Sequence, residues 1–147
     1  MAVIEFARNV LGFSDANSTE VNPDTKHPVI HIMPSQEENL LNKNYGGTIR
    51  LGSWPCKVKK GTKLFDIYKK DLISERHRHR YEFNNKYKSQ FEKKGFLISG
   101  TSPDGKLVEA IEIEKHKFFV GTQFHPEYIS RPLAPHPLFV SFLASMI

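Results

Sequence analysis

Three apolar segments follow one another late in the chain: Phe96 to Gly100, Leu107 to Ile113 and Phe118 to Phe124. Each has strand length, and turn residues separate them, so all three are expected to be β-strands. Pro103-Asp104-Gly105 joins the first two as a hairpin. The third, Phe118-Phe-Val-Gly-Thr-Gln-Phe124, is apolar enough to predict a central position in a sheet. Any fold for this chain must bury that sheet, and the rest of the sequence supplies helices to cover it. Val3, Phe6, Ala7, Val10 and Leu11 recur at helical spacing, with Gly12 placed to stop them. Further helices are expected over Lys63 to Tyr68, over Lys86 to Lys94 with Asn85 as cap and Gly95 as stop, and over Pro137 to Met146. Val29 to Met33 predicts a buried strand, and Glu75 to Phe83 predicts extended chain. Thr48 to Leu51 and Cys56 to Val58 predict short strands with a turn between them, while Ser14 to Asp24 and Pro34 to Tyr45 predict loops. Helices mixed with buried strands give an α/β architecture.

Composition narrows the class. At 147 residues and 39% hydrophobic, the chain is one domain or part of one, and too apolar to be disordered. No stretch reaches the roughly 18 apolar residues of a membrane span, and the charges of Met1-Ala-Val-Ile-Glu-Phe-Ala-Arg8 do not suit a secretory leader. The single cysteine, Cys56, excludes an internal disulfide framework and a multi-cysteine zinc site, and predicts a reducing compartment, the cytosol. A net charge of +5 favours anionic partners such as nucleotides, phosphates or nucleic acid without selecting one.

The sharpest local feature is Gln123-Phe-His-Pro-Glu127, directly after the apolar strand. In extended backbone, residues i and i+2 point the same way, which brings His125 and Glu127 to one side. A carboxylate beside an imidazole fixes its tautomer and stabilises the imidazolium, the base-and-orienter half of a nucleophilic triad. The alternative is a histidine and a glutamate in a surface turn. In Glu75-Arg-His-Arg-His-Arg-Tyr-Glu82, strand alternation puts Arg76, Arg78 and Arg80 on one face and His77, His79 and Tyr81 on the other. Three guanidinium groups suit carboxylates or phosphates. The alternatives are a basic edge strand, or a His-x-His metal site that has no third ligand close in sequence. Asp15-Ala-Asn-Ser-Thr-Glu20 is a polar connector, and Tyr45-Gly-Gly-Thr-Ile-Arg-Leu-Gly52 lacks the Gly-Lys-Ser/Thr ending of a phosphate loop.

Taken together, these stretches resemble the C-terminal part of the glutamine amidotransferase domain of the CTP synthase family. The resemblance rests on Ala2-Val-Ile-Glu-Phe-Ala-Arg-Asn-Val10, Ala16-Asn-Ser-Thr-Glu20, His27-Pro-Val29, Gly46-Gly-Thr-Ile-Arg-Leu-Gly52, Glu75-Arg-His-Arg-His-Arg-Tyr-Glu82 and Phe124-His-Pro-Glu127, which span essentially the whole chain. It implies a partial class I amidotransferase domain over residues 1–147. The implied fold is flavodoxin-like, three-layer α/β/α, without its N-terminal strands and nucleophile elbow. His125 then matches the catalytic histidine and Glu127 its orienting glutamate. Arg80 matches the arginine that grips the α-carboxylate of glutamine, and Glu20 the acidic residue that receives its α-amino group. The family's thiolate lies in a Gly-x-Cys-Leu-Gly-Met-Gln elbow just before the Ala-Val-Ile-Glu helix. That elbow is not in this chain, so a truncated domain, inactive alone, is expected. Cys56, in Trp54-Pro-Cys-Lys-Val58, has no elbow context and is expected to be structural.

The resemblance further implies glutamine as substrate, a synthetase domain of the same protein as partner, and a homo-oligomeric parent. The parent would use ATP with Mg, and GTP as activator, with no cofactor, metal, membrane or specific nucleic acid for this portion. Two other readings are a class I glutaminase serving GMP or anthranilate synthesis, against which the Arg76 to Arg80 run argues, and a degenerate binding or regulatory module.

Overall fold

The computed structural model describes residues 1–32 and 50–147. It resolves into two compact units, one formed by Met1–Leu51 with Arg78–Lys94 and the other by Gly52–His77 with Gly95–Ile147.

In the first unit, α1 (Ala2–Asn9) buries Ile4, Phe6 and Ala7; of the predicted apolar face Phe6 and Ala7 are buried and Val3 half-buried, while the helix stops before Val10, which is exposed. Gly12 follows at φ +77°, a left-handed position that glycine occupies without Cβ strain. A two-residue strand, β1 (Asn17–Ser18), forms inside the expected loop and pairs in parallel with β2 (Pro28–Ile32). β5 (Tyr81–Phe83) pairs antiparallel with the other edge of β2, giving the order β1-β2-β5. The expected helix over 86–94 opens as a 3-10 turn (Asn85–Tyr87) and continues as the shorter α3 (Lys88–Glu92). Its cap is Asn84 rather than Asn85. The Asn84 side-chain oxygen accepts the Lys86 N–H at 3.1 Å while its amide donates to the Pro28 backbone oxygen at 2.9 Å. Anchoring to β2 fixes the helix start one residue earlier than propensity places it. Phe91 of α3 stacks on Phe6 at 5.5 Å and meets Phe83 edge-on at 5.2 Å, closing this small core.

The second unit holds most of β3 (Arg50–Val58) and β4 (Leu72–His79), together with α2 (Lys63–Tyr68), β6 (Phe96–Thr101), β7 (Val108–Ile113), β8 (Val120–Thr122) and α4 (Pro137–Ala144). The sheet order is β4-β3-β6-β7-β8, and β3/β6, β6/β7 and β7/β8 pair antiparallel. The expected pair of strands around a turn at 52–55 is the single strand β3. Gly52 takes φ +86° within it without breaking it, and Thr48 and Ile49 lie outside the described residues. Helix α2 matches its predicted span. Thr62 caps it by accepting the Phe65 N–H at 3.1 Å. The buried Glu112 carboxylate accepts the Lys63 and Leu64 N–H groups at 3.0 and 2.8 Å, satisfying two donors a helix start leaves open.

β8 departs from expectation. It is a three-residue edge strand among the described residues, half-buried rather than central. Its apolar neighbours are spent elsewhere. Phe118, Phe119 and Val120 line a cavity of about 350 Å³ with Leu138, Phe139 and Phe142 of α4. The apolar run thus faces a helix rather than two flanking strands. Cys56 is fully buried in a core with Val58, Leu64, Ile73, Ala110, Phe124 and Leu138. No helix among the described residues is long and apolar enough to cross a membrane.

Candidate active site

Strand β8 ends at Thr122, and after the bend at Gln123 and Phe124 the next three residues carry the chemistry. His125 turns out of the extended run at φ −112°, ψ 88°, and Pro126–Tyr128 winds into a 3-10 turn with proline at its first position. This turn swings Glu127 back toward the ring: His125 Nδ1 lies 2.7 Å from Glu127 Oε1. The Tyr128 ring stacks on the imidazole at 5.0 Å between centroids and 16° between planes. The His125 backbone N–H donates to the Arg76 oxygen at 2.8 Å, tying the pair to β4. Both side chains reach solvent, the histidine at 35% exposure and the glutamate at 54%. They are accessible to a substrate rather than sealed in the core. Burial raises the Glu127 carboxyl, but the hydrogen bond with His125, a backbone N–H and the imidazole charge together outweigh it. The net position is below the ordinary carboxylate range. A carboxylate held ionised on Nδ1 leaves Nε2 to take a proton from a nucleophile and return it to a leaving group.

Glu20 and Arg80 lie in the other unit, each just off a strand of the β1-β2-β5 sheet. Ser18 of β1 is level with Ile30 of β2, and Ile32 of β2 is level with Tyr81 of β5. Glu20, two residues past Ser18, and Arg80, one before Tyr81, therefore sit at the same end of the sheet with β2 between them. Glu20 is exposed and Arg80 half-buried. The Glu20 N–H donates to Ser18 Oγ at 3.2 Å, which holds the turn after β1.

The basic run is resolved more finely than alternation predicts. Along β4, Ile73, Glu75 and His77 point inward while Ser74, Arg76 and Arg78 are exposed. Arg80 does not continue that arginine face, because the chain bends there between β4 and β5. Inside, His77 Nδ1 lies 3.6 Å from Glu109 Oε2, both fully buried.

Sequence reasoning missed a second buried cluster. Tyr68 donates to Glu75 Oε1 at 2.7 Å, and His136 Nε2 lies 3.1 Å from the same oxygen. Burial, then the hydrogen bond to and charge of Glu75, pushes the Tyr68 phenol above its ordinary range. The signal was present for Glu75, which shares the inward phase of β4 with His77. Nothing local marked Tyr68 or His136, which are 68 residues apart.

Known proteins match this chain over its whole length. The family model for Glutamine amidotransferase class-I matches residues 1–145. The chain is 59% identical over 147 residues to the CTP synthase of Aquifex aeolicus (strain VF5) and 51% identical over 147 residues to that of Bacillus subtilis (strain 168). It is covered completely in both cases and spans 27% of the length of each relative. Among solved structures, the glutaminase domain of Trypanosoma brucei CTPS with bound acivicin superposes with a TM-score of 0.89 at 39% identity, over 98% of this chain and 55% of that one. A Thermoplasma acidophilum protein assigned as a GMP synthase component, at TM-score 0.50 and 18% identity over 66% of this chain and 44% of that one, shares the fold alone.

Proposed function

This chain belongs to the class-I glutamine amidotransferase family, and on that premise we propose that it is the glutaminase portion of a CTP synthase. In this reading the whole protein hydrolyses glutamine to glutamate and ammonia and uses the ammonia to aminate UTP. The observation that carries it is the 2.7 Å contact between His125 Nδ1 and Glu127 Oε1, which begins three residues past the end of β8. A cysteine thiolate outside these 147 residues attacks the side-chain amide of glutamine. Nε2 of His125 gives the departing ammonia its proton, then takes one from the water that releases glutamate from the thioester. Glu127 holds the ring and balances the charge it carries before the first transfer and after the second. Arg80 receives the α-carboxylate and Glu20 the α-ammonium, and their placement at one end of a sheet supports that division. The synthetase domain, ATP with its magnesium, GTP as activator and a homo-oligomeric assembly belong to the rest of the whole protein, working in the cytosol.

The test uses a full-length CTP synthase carrying this segment. Arg80→Ala is expected to lower glutamine-dependent CTP formation by about tenfold to a few hundredfold, the worth of one charge-assisted contact to a carboxylate, roughly 1.5–3 kcal/mol. Ammonium-dependent CTP formation should be spared. Arg80→Lys should rescue poorly, since an ammonium cannot make two parallel bonds. Equal losses in both arms at an unchanged melting temperature would reject the assignment.

A further inference from the structure

The buried cluster behind the His125–Glu127 turn has no part in the chemistry described so far, yet it is joined to that turn at both ends. His125 begins the segment, and its backbone N–H is held by the oxygen of Arg76 at 2.8 Å. His136 ends it, and its Nε2 is 3.1 Å from the carboxylate of Glu75. Residues 75 and 76 are neighbours on β4, so one short stretch of strand holds both ends of the segment that carries the catalytic pair. Between the ends, Ser130 Oγ accepts the His136 backbone N–H at 3.1 Å, and Arg131 and Ala134 exchange backbone hydrogen bonds.

The atom assignments around His136 follow from its neighbours. Nδ1 accepts the Leu138 N–H at 3.3 Å, capping α4, so the ring proton sits on Nε2 and is donated to Glu75. Tyr68 donates to the same Glu75 oxygen at 2.7 Å. His136 and Glu75 are 2% and 3% exposed at the side chain. A carboxylate buried to this degree is costly unless its donors hold it, and for the same reason a change in one partner is transmitted to the others.

We propose that Glu75, acting through His136, is a positioning residue that sets where the His125–Glu127 pair stands. The proposal rests on the reading of His125 as the catalytic base. Arg76, exposed on the opposite face of β4, contributes its backbone oxygen, and the Glu75 carboxylate forms the side-chain half of the clamp, with Tyr68 Oη also 3.2 Å from His136 Nε2. Loss of that half should free the far end of the segment and let the ring move, while leaving the glutamine grip of Arg80 and Glu20 intact.

The experiment has two parts. In the 147-residue chain, imidazole ¹⁵N spectra report the tautomer of His125, and hydrogen exchange reports its backbone amide. His136→Asn keeps an acceptor for the Leu138 N–H but cannot bridge to Glu75. Glu75→Gln keeps the volume and removes the charge. Both are expected to speed exchange of the His125 amide by tenfold or more and to mix the tautomers of its ring. The Ile98 and Ile111 amides of β6 and β7 should be unaffected, which also shows that each variant is folded. In a full-length CTP synthase carrying this segment, the same variants should lower kcat for glutamine by about ten- to a hundredfold, the cost of misplacing a reacting group by an ångström or so. KM for glutamine and ammonium-dependent activity should stay unchanged. Unaltered His125 exchange and tautomer in folded variants, or a rise in KM without a fall in kcat, would overturn the proposal. Glu127→Ala separates it from the reading beneath it. If Glu127→Ala leaves the His125 tautomer and the glutamine kcat unchanged, the catalytic pair itself is wrong. If Glu127→Ala acts and the Glu75 and His136 variants do not, the positioning role alone fails.

Discussion

Gly100 on β6 offers the most direct test of how the one cysteine is held. A Cβ built on Gly100 would stand 2.8 Å from Cys56 Sγ, 3.1 Å from Ala110 Cβ and 3.3 Å from Leu64 Cδ2. Comfortable separations between such atoms are about 3.5–4.0 Å, so Gly100→Ala forces an overlap of roughly 1 Å against the sulfur and less against the others. Replacing glycine in a compatible backbone would gain about 0.4–1 kcal/mol from a stiffer unfolded chain. Overpacking a dense core costs about 1–3 kcal/mol. The overlap therefore wins, with a net loss of about 1–2 kcal/mol, or about 2–8 °C in melting temperature for a chain of this size. Removing the sulfur should relieve it. Cys56→Ala alone leaves a hole and costs about 1 kcal/mol, but in the Gly100→Ala background it should restore stability, with a coupling of about 1 kcal/mol or more. Urea unfolding of the four proteins, at constant m, measures the cycle. Additive losses, or a Gly100→Ala protein as stable as the parent, would show that Cys56 and Gly100 are not in the contact described.

The same burial of Cys56 predicts that the 147-residue chain by itself releases no ammonia from glutamine above background. Release abolished by Cys56→Ser would overturn the structural role given to that thiol. Glu127 is held below the 4.5 of an ordinary glutamate. A depressed carboxyl is fully ionised above its ordinary value, so its pairing with His125 should persist there and be lost only as pH falls through the lower folded value. Carboxyl ¹³C titration by NMR checks this, and a Glu127 midpoint at or above 4.5 would refute it. Glu112→Gln should destabilise the chain by about 1.5–3 kcal/mol in urea. Its amide offers one oxygen where the carboxylate accepts two N–H groups of α2; a loss under about 0.5 kcal/mol would refute the cap.

How much of this molecule can be read from sequence depends on the range of the forces that decide each part. Helix α1, helix α2 and the 96–113 hairpin were legible because local spacing, caps and turn residues set them. The His125–Glu127 contact was expected from alternation in extended backbone, but it is a 3-10 turn at Pro126–Tyr128 that brings the two side chains together. Alternation also predicted that His77 would oppose Arg76 and Arg78, since a strand imposes a period of two whatever surrounds it. Three things were decided by tertiary structure. β8 became an edge strand because Phe118, Phe119 and Val120 meet α4 around a cavity, and an apolar run does not say whether a helix or a strand will cover it. β1 formed from two polar residues because β2 offered it a ladder, not because its own side chains favour a strand. The Tyr68–Glu75–His136 cluster joins a helix, a strand and a helix cap far apart in the chain. No periodicity links such residues, because a buried hydrogen bond is chosen by which donors the folded chain brings within about 3 Å, and that is known only once the chain has folded.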